Sequence, residues 1–372
     1  MRVGLDAHTL EGRHQGIRTY VAHIARELAK QAASADELVL MGCHPETAKL
    51  YLDGDRWSAH SWLIRSPWLR IPIEAPIRQV TLGLDVFHSQ YICPPVSLKR
   101  EVVTIHDILF ETNPEWFPPA FVRRNRLLYR MSARRADLVV TDSRATKCAL
   151  TNLYGIPESQ IRVIPLGADH IVPEGRSSEA SAPQSSLQGR LPARFHLFVG
   201  RIDPRKNLVR LAEAYRILRA TVPDVPPLLL AGPRDYQASL ILATLADQVH
   251  NGGIVELGPV DDDTVRRLYA TADVVVYPTL GEGFGLPVLE AMAAGAAIVT
   301  SSCPAIREFA DGCVLYTDPL SAEAIAETIR ETMLGGQRIA DLRAAAEVRA
   351  RGYTWSDTAA ALWRVYRDVT GL

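Results

Sequence analysis

Two carboxylates with seven residues between them, Glu282 and Glu290, bracket a stretch where a glycine-rich loop gives way to an apolar helix: Tyr277-Pro-Thr-Leu-Gly-Glu282-Gly-Phe-Gly-Leu-Pro287-Val-Leu-Glu290. Before it, Ala272-Asp-Val-Val-Val276 is a continuous apolar run, predicted as a strand covered on both faces of a parallel sheet. Pro287 suits a first helical position, where its missing N–H costs nothing. Gly281, Gly283 and Gly285 let a ligand approach the main chain, and the N–H groups of the following helix favour an anion. Glu282, in the loop, can reach a group over the helix N-terminus. Glu290, about one turn inside, can accept two hydrogen bonds from a vicinal diol. The pair therefore predicts a site for an anion and hydroxyls, although two acids near a helix start can also do no more than complement its dipole.

Two further clusters carry the same chemistry. Gly200-Arg201-Ile-Asp-Pro-Arg-Lys206-Asn207 lies between a strand and a helix, so Arg201 at the strand end and Lys206 at the helix start can meet one diphosphate. Arg205 is assigned to solvent, and a solvated turn with ordinary charges is the competing reading. Val102-Val-Thr-Ile-His106-Asp107 ends a strand with a histidine and an aspartate, which suits contact with a hydroxyl or a cationic sugar but equally a structural histidine. The loop from Thr9 to Ile17 contains Gly16, where main-chain N–H groups can approach phosphate or simply turn.

The elements that must hold these residues alternate between strand and helix along the whole chain. Strands are predicted at Arg2 to Leu5, Leu38 to Met41, Val86 to His88, Val102 to Ile105, Leu138 to Val140 and Val163 to Ile164. After Ile171 to Arg190, rich in serine, alanine, proline and glycine, they resume at Phe195 to Val199, Leu228 to Leu230, Ile254 to Leu257, Asp273 to Val276 and Ala297 to Thr300. Helices are predicted at Ile17 to Ala33, Phe121 to Ala136, Ala145 to Tyr154, from about Leu208, and at Ala322 to Met333, Ile339 to Ala350 and Trp355 to Thr370. The pattern is α/β, with two doubly wound parallel sheets. A chain of 372 residues suits two such domains: 1–172, a linker at 173–190, and 191–352, with 353–372 as a last helix that can cross back to the first domain.

Composition narrows the function class. Hydrophobic content of 47% and charged content of 22% are those of a soluble globular protein, and a net charge of −1 gives no argument for a nucleic-acid partner. Five scattered cysteines without a Cys-x-x-Cys pair fit a reducing cytoplasm, and the histidines lack zinc-ligand spacing, so no metal is expected. The chain opens on a predicted strand rather than a leader, and no run approaches a membrane span. A basic segment, Phe121 to Arg135, offers Leu127, Leu128 and Met131; it can lie on an anionic membrane at the inner face of the cell, or pack on the core with a solvated arginine face. Trp57, Trp62 and Trp68, with Arg65 and Arg70, can mark an acceptor or interfacial surface or simply pack a loop.

Taken together, Gly16, His106-Asp107, Gly200-Arg201 with Lys206-Asn207, and the Glu282 to Glu290 element resemble the retaining, metal-independent glycosyltransferases of the GT-B fold, family 4. The segment His106 to Pro118 looks most like bacterial mannosyltransferases of surface polysaccharide assembly, while Arg18 and Thr19 stand where many relatives have Gly-Arg. The resemblance implies two Rossmann-like domains facing across a cleft and a nucleotide-sugar donor, GDP-mannose before UDP-sugars or deoxysugar nucleotides, with no separate cofactor. It implies a saccharide or polyprenyl-linked saccharide acceptor. It assigns the donor diphosphate to Arg201 and Lys206, the ribose to Glu290, sugar and phosphate to the main chain of Phe284, Gly285 and Leu286, sugar hydroxyls to Glu282, the sugar C6 group and reacting carbon to His106, and the phosphate neighbourhood to Gly16. Three readings compete: a sugar-nucleotide-binding protein without catalysis, a GT-B epimerase, and a phosphorylase. The first would lack a site residue, the second would need further acid/base residues, and the third a pyridoxal phosphate lysine among only five lysines.

Overall fold

The computed structural model describes residues 1–12, 16–172 and 191–372, so the expected linker at 173–190 lies outside the described residues. The chain divides into two compact units, residues 1–167 with 353–372, and residues 168–352.

The first unit is a seven-stranded sheet in the order β3-β2-β1-β4-β5-β6-β7, every pairing parallel. Its strands are β1 Arg2–Asp6, β2 Glu37–Met41, β3 Trp57–His60, β4 Val86–Gln90, β5 Arg100–Thr104, β6 Leu138–Thr141 and β7 Ile161–Val163. Every residue of β4 and of β6 is buried, as expected when helices cover both faces of a sheet; β6 is apolar up to its terminal Thr141, whereas β4 buries the polar His88, Ser89 and Gln90 at its carboxyl end. The helices Gly16–Gln31 and Trp355–Thr370 pack together: Trp363 Nε1 donates to Leu28 O at 3.3 Å, and Tyr366 OH bonds buried His88 on β4 at 2.7 Å. The last helix starts where the sequence places it because Thr354 Oγ1 accepts the Asp357 N–H at 3.1 Å, satisfying an orphan donor of the first turn.

The second unit repeats the plan with six parallel strands in the order β10-β9-β8-β11-β12-β13. They are β8 His196–Val199, β9 Leu228–Ala231, β10 Ile254–Gly258, β11 Val274–Tyr277, β12 Ala297–Ser301 and β13 Leu315–Thr317. In each sheet the strand order reverses beside the first strand, between β1 and β4 and between β8 and β11. The crevice beyond the carboxyl ends at such a reversal is where doubly wound sheets bind ligands.

Departures from the sequence reading fall at sheet edges. Strands β3 and β13 carry no predicted run: Trp57-Ser-Ala-His60 is half-buried throughout, and β13 is only three residues long. Strand β7 ends at Val163 instead of starting there. No helix among the described residues is long and apolar enough to cross a membrane, and among them no cluster of three or more His, Cys, Asp or Glu could hold a metal ion.

One buried acid of β5 sets a pH dependence. Glu101 accepts from Ser89 Oγ at 2.5 Å and Ser97 Oγ at 2.8 Å, yet burial pushes its pKa up to about 7. Between the ordinary carboxylate range and that value the folded chain holds a proton the unfolded chain has released, so stability is greatest below this window and falls as pH rises through it. Glu101→Gln is expected to flatten the pH dependence of the urea midpoint between about pH 5 and 7. An unchanged slope in the variant would show that another group titrates there.

Candidate functional site

The reversal point of the second sheet gathers the charged residues. After β8 the chain passes Arg201, makes a tight turn at Pro204–Lys206, and enters the helix Leu208–Thr221 through Asn207 at φ 60°. Asn207 is held there by its own amide, which donates to Pro278 O at 3.0 Å and Pro319 O at 2.7 Å, tying the β8 turn to the loop that follows β11. Leu280 N donates to Arg205 O at 2.8 Å, a second tie between the same loops.

Glu282 occupies the middle of this junction. Lys206 Nζ lies 2.6 Å from Oε1, Thr279 Oγ1 and Tyr277 OH donate to the same oxygen at 2.9 and 3.0 Å, and Arg205 Nη1 approaches Oε2 at 3.4 Å. Lys206 Nζ also donates to Tyr277 OH and sits 4.8 Å from the centre of its ring. Burial alone would raise the carboxyl pKa, but the Lys206 and Arg205 charges outweigh it and hold Glu282 at about 2. Burial also lowers the Lys206 pKa, against the pull of Glu282. The two shifts oppose each other in what they favour; the short contact and the second cation favour the ionised pair.

Arg205 is therefore not a solvent residue. Its side chain is buried, reaching Glu282 and, at 3.7 Å, Asp203, because the tight turn folds it back under the loop. Arg201 is the guanidinium that solvent reaches: 36% exposed, it pairs with Asp235 at 2.7 Å. The structure thus places Lys206 and Glu282 in one buried contact and Arg201 at the rim of the same β8 loop.

Following Glu282, the helix spans Leu286–Ala293, so Leu286 and not Pro287 is its first residue, behind Gly285 at φ 103°. The Phe284 ring stacks on Phe309 at 4.9 Å between centroids, which leaves only the Phe284 main chain to meet a ligand. Glu290 stands one turn inside and is buried; Tyr269 OH donates to Oε2 at 2.9 Å and His170 Nε2 lies 3.3 Å from Oε1. Its carboxylate is clamped from both oxygens, a fixed acceptor for hydroxyls.

In the first unit His106 follows β5 and is buried. Its Nδ1 is 2.6 Å from Asp142 Oδ2, just past β6, and its ring meets Tyr20 and Tyr91 edge-on at 4.7 and 5.3 Å. Nε2 has no partner among the described residues. A carboxylate on one nitrogen fixes the ring and its tautomer, leaving Nε2 as the working atom. Asp107 turns away from this role, since Oδ1 accepts the Leu109 N–H at 3.2 Å. Gly16 opens its helix with open space where a side chain would stand. The basic helix Pro119–Arg135 buries Val122, Tyr129 and Ala133 in the core, and its arginines are exposed together with Leu127 and Met131.

Sequence reasoning passed over Asp142, Tyr277, Thr279, Tyr269 and His170. Asp142 and Tyr277 had a usable signal: each sits at the carboxyl end of a buried strand, the same position that singled out His106. Tyr269 and His170 had none, because their partner is 21 residues away for one and reached by the fold alone for the other.

Known proteins share this plan. A family model for glycosyl transferases group 1 matches residues 193–334, and one for glycosyltransferase family 4 matches residues 14–171. The chain is 31% identical to O-antigen chain mannosyltransferase B of Escherichia coli over 73% of its length and 71% of that protein. It is 24% identical to the O-antigen chain mannosyltransferase RfbU of Salmonella typhimurium strain LT2 over 69% of its length and 66% of that protein. Sucrose-phosphate synthase from Thermosynechococcus elongatus superposes with a TM-score of 0.77 at 19% identity, covering 100% of this chain and 99% of that one, a likeness of fold.

Proposed function

The chain belongs to the group 1, family 4 glycosyltransferases, enzymes of the GT-B fold, and from that membership we propose that it moves mannose from GDP-mannose to a hydroxyl of a saccharide or lipid-linked saccharide in cell-surface polysaccharide assembly. The observation that carries the reading is the buried Lys206–Glu282 contact at the sheet reversal, in a chain whose curated relatives transfer mannose.

In this reading the bond from the anomeric carbon to the donor diphosphate breaks as the acceptor oxygen enters on the same face, and the departing phosphate oxygen takes the acceptor proton. Configuration is retained and no protein nucleophile is consumed. Lys206 and Arg201 take up the charge growing on the leaving diphosphate, where fixed cations stabilise the transition state more than the ground state. Glu282, ionised and immobile, accepts hydroxyls of the transferred sugar, and clamped Glu290 accepts the ribose diol. The main chain of Phe284, Gly285 and Leu286 meets sugar and phosphate, Gly16 lies near the phosphates, and His106 Nε2 lies near the C6 group and reacting carbon. Tying Lys206 to Glu282 fixes the phosphate-binding cation and the sugar-binding carboxylate relative to each other.

A melting-temperature series with GDP, UDP and dTDP tests the donor. A ligand at a hundredfold excess over its Kd adds about 2.7 kcal/mol to the native state. GDP is expected to raise the midpoint most. A larger response to UDP or dTDP replaces the donor, and no response to any of the three removes the nucleotide-sugar reading.

A further inference from the structure

The second unit begins at Ala168, and its first turn, Asp169–Ile171, packs on the helix Leu286–Ala293 that carries Glu290. Ile171 is buried, and its N–H closes the turn on Ala168 O at 3.1 Å. The helix Asp262–Thr271 holds both partners in place. Its Arg266 and Tyr269 lie on one face, Arg266 Nη1 donating to His170 O at 3.4 Å and Tyr269 OH donating to Glu290 Oε2 at 2.9 Å. His170 then meets Glu290 directly, Nε2 lying 3.3 Å from Oε1 with each side chain only 10% exposed.

This arrangement decides which acceptor positions of Glu290 a ligand finds. Burial, and after it the Glu290 charge, push the Tyr269 phenol well above its ordinary range, so the hydroxyl keeps its proton and donates. Nε2 of His170 faces an oxygen that only accepts, so it carries a proton as well. An ionised carboxylate offers about four acceptor positions; the two donors take one on each oxygen and leave one on each. A vicinal diol fills that pattern with its two hydroxyls. Held at Oε2 alone, the carboxylate would still turn about that single contact, and binding would have to immobilise it at a cost in entropy. With both oxygens held, that ordering precedes the ligand.

We propose that His170 is a positioning residue for the donor ribose: by fixing Glu290 Oε1 it aims the carboxylate at the 2′ and 3′ hydroxyls, which makes the turn that opens the second unit part of nucleotide recognition. The inference rests on the glycosyltransfer reading, in which Glu290 accepts the ribose diol, and extends it to a residue far away in sequence. It also gives the turn Asp169–Ile171 a role in selectivity: its displacement would release Oε1 and weaken the preference for a ribose over a sugar without hydroxyls.

Calorimetric titration of the full chain with GDP and with 2′,3′-dideoxy-GDP tests this, or with UDP and its dideoxy form if UDP gives the larger melting shift. The wild-type chain is expected to favour the ribose form by about tenfold or more, as hydrogen bonds to a charged acceptor do. His170→Leu, which fills the space without a donor, is expected to cut that preference by about threefold or more and to leave the dideoxy affinity within about twofold. His170→Gln, whose amide can donate from a similar place, is expected to keep most of it. His170→Ala is read in the same way as the leucine variant, so a failure of that variant to fold does not remove the test. A merely structural histidine would weaken both ligands equally or lower the melting temperature alone. Either result in the leucine and alanine variants, or a glutamine variant as impaired as they are, overturns the proposal. Equal binding of the two ligands by the wild-type chain would instead remove the ribose role of Glu290 and this proposal with it, and binding of no nucleotide would remove the donor reading on which both rest.

Discussion

Lys206→Met, assayed at saturating donor, is expected to lower kcat by about a hundredfold to a thousandfold, the usual loss when one preorganised charge contact to a developing anion is removed. Two effects must be separated, because Lys206 is buried against Glu282 at 2.6 Å and its loss also strips a partner from a buried carboxylate. Removing one half of a buried ion pair commonly costs about 3–5 kcal/mol of stability. The cost here should be smaller, since Arg205 Nη1 remains 3.4 Å from Oε2 and the Thr279 and Tyr277 hydroxyls still donate to Oε1. Adding Glu282→Gln removes the stranded charge, and pairs replaced together are often near neutral in stability. The double variant should therefore melt above Lys206→Met yet stay as inactive. Recovery of activity along with stability would mean that Lys206 serves the fold and not the leaving group, and near wild-type turnover in the single variant would remove the assignment altogether.

The central strands of both sheets were legible because they are buried on both faces. Val274-Val-Val-Tyr277 and Leu138-Val-Val-Thr141 have no exposed position at which a polar residue could interrupt the run, so apolar continuity and strand coincide. Edge strands lose that constraint: β3 has no buried residue, and its sequence shows no strand signal. The loop-to-helix geometry around Glu282 was equally legible, since glycine and proline act through the backbone, and backbone preferences are local. What sequence could not show is which side chains share charge. Arg205 and Lys206 are neighbours in sequence and look alike, yet which of them reaches inward depends on a turn pinned by Asn207 to carbonyls 71 and 112 residues away. In the structure both reach inward, and the more distant Arg201 takes the rim position. The same limit hid Asp142, whose pairing with His106 joins two strands that only the sheet order makes neighbours.

Gly285→Ala tests the backbone side of the site, and its expected cost is large because two penalties coincide. At φ 103° a residue with a Cβ carries backbone strain of about 1–3 kcal/mol. The added methyl would also lie 2.7 Å from Ile306 Cγ1, a fully buried side chain on the helix Pro304–Ala310, and forcing a methyl into a packed core costs a further 1–3 kcal/mol or so. Gly312 separates the two terms. It sits just past that same helix at φ 76°, with nothing within 4 Å of an added Cβ, so Gly312→Ala should show the backbone term alone. Urea unfolding is expected to place Gly285→Ala roughly 1–3 kcal/mol below Gly312→Ala. Relief of the clash must shift the Phe284 to Leu286 main chain away from Ile306, and that main chain is the one the transfer reading assigns to sugar and phosphate. Gly285→Ala should then raise the donor KM in chains that remain folded, whereas Gly312→Ala leaves it alone. Equal destabilisation in the two variants would show that contact with Ile306 does not set the loop's position, and an unchanged donor KM in Gly285→Ala would detach that stretch of backbone from donor binding.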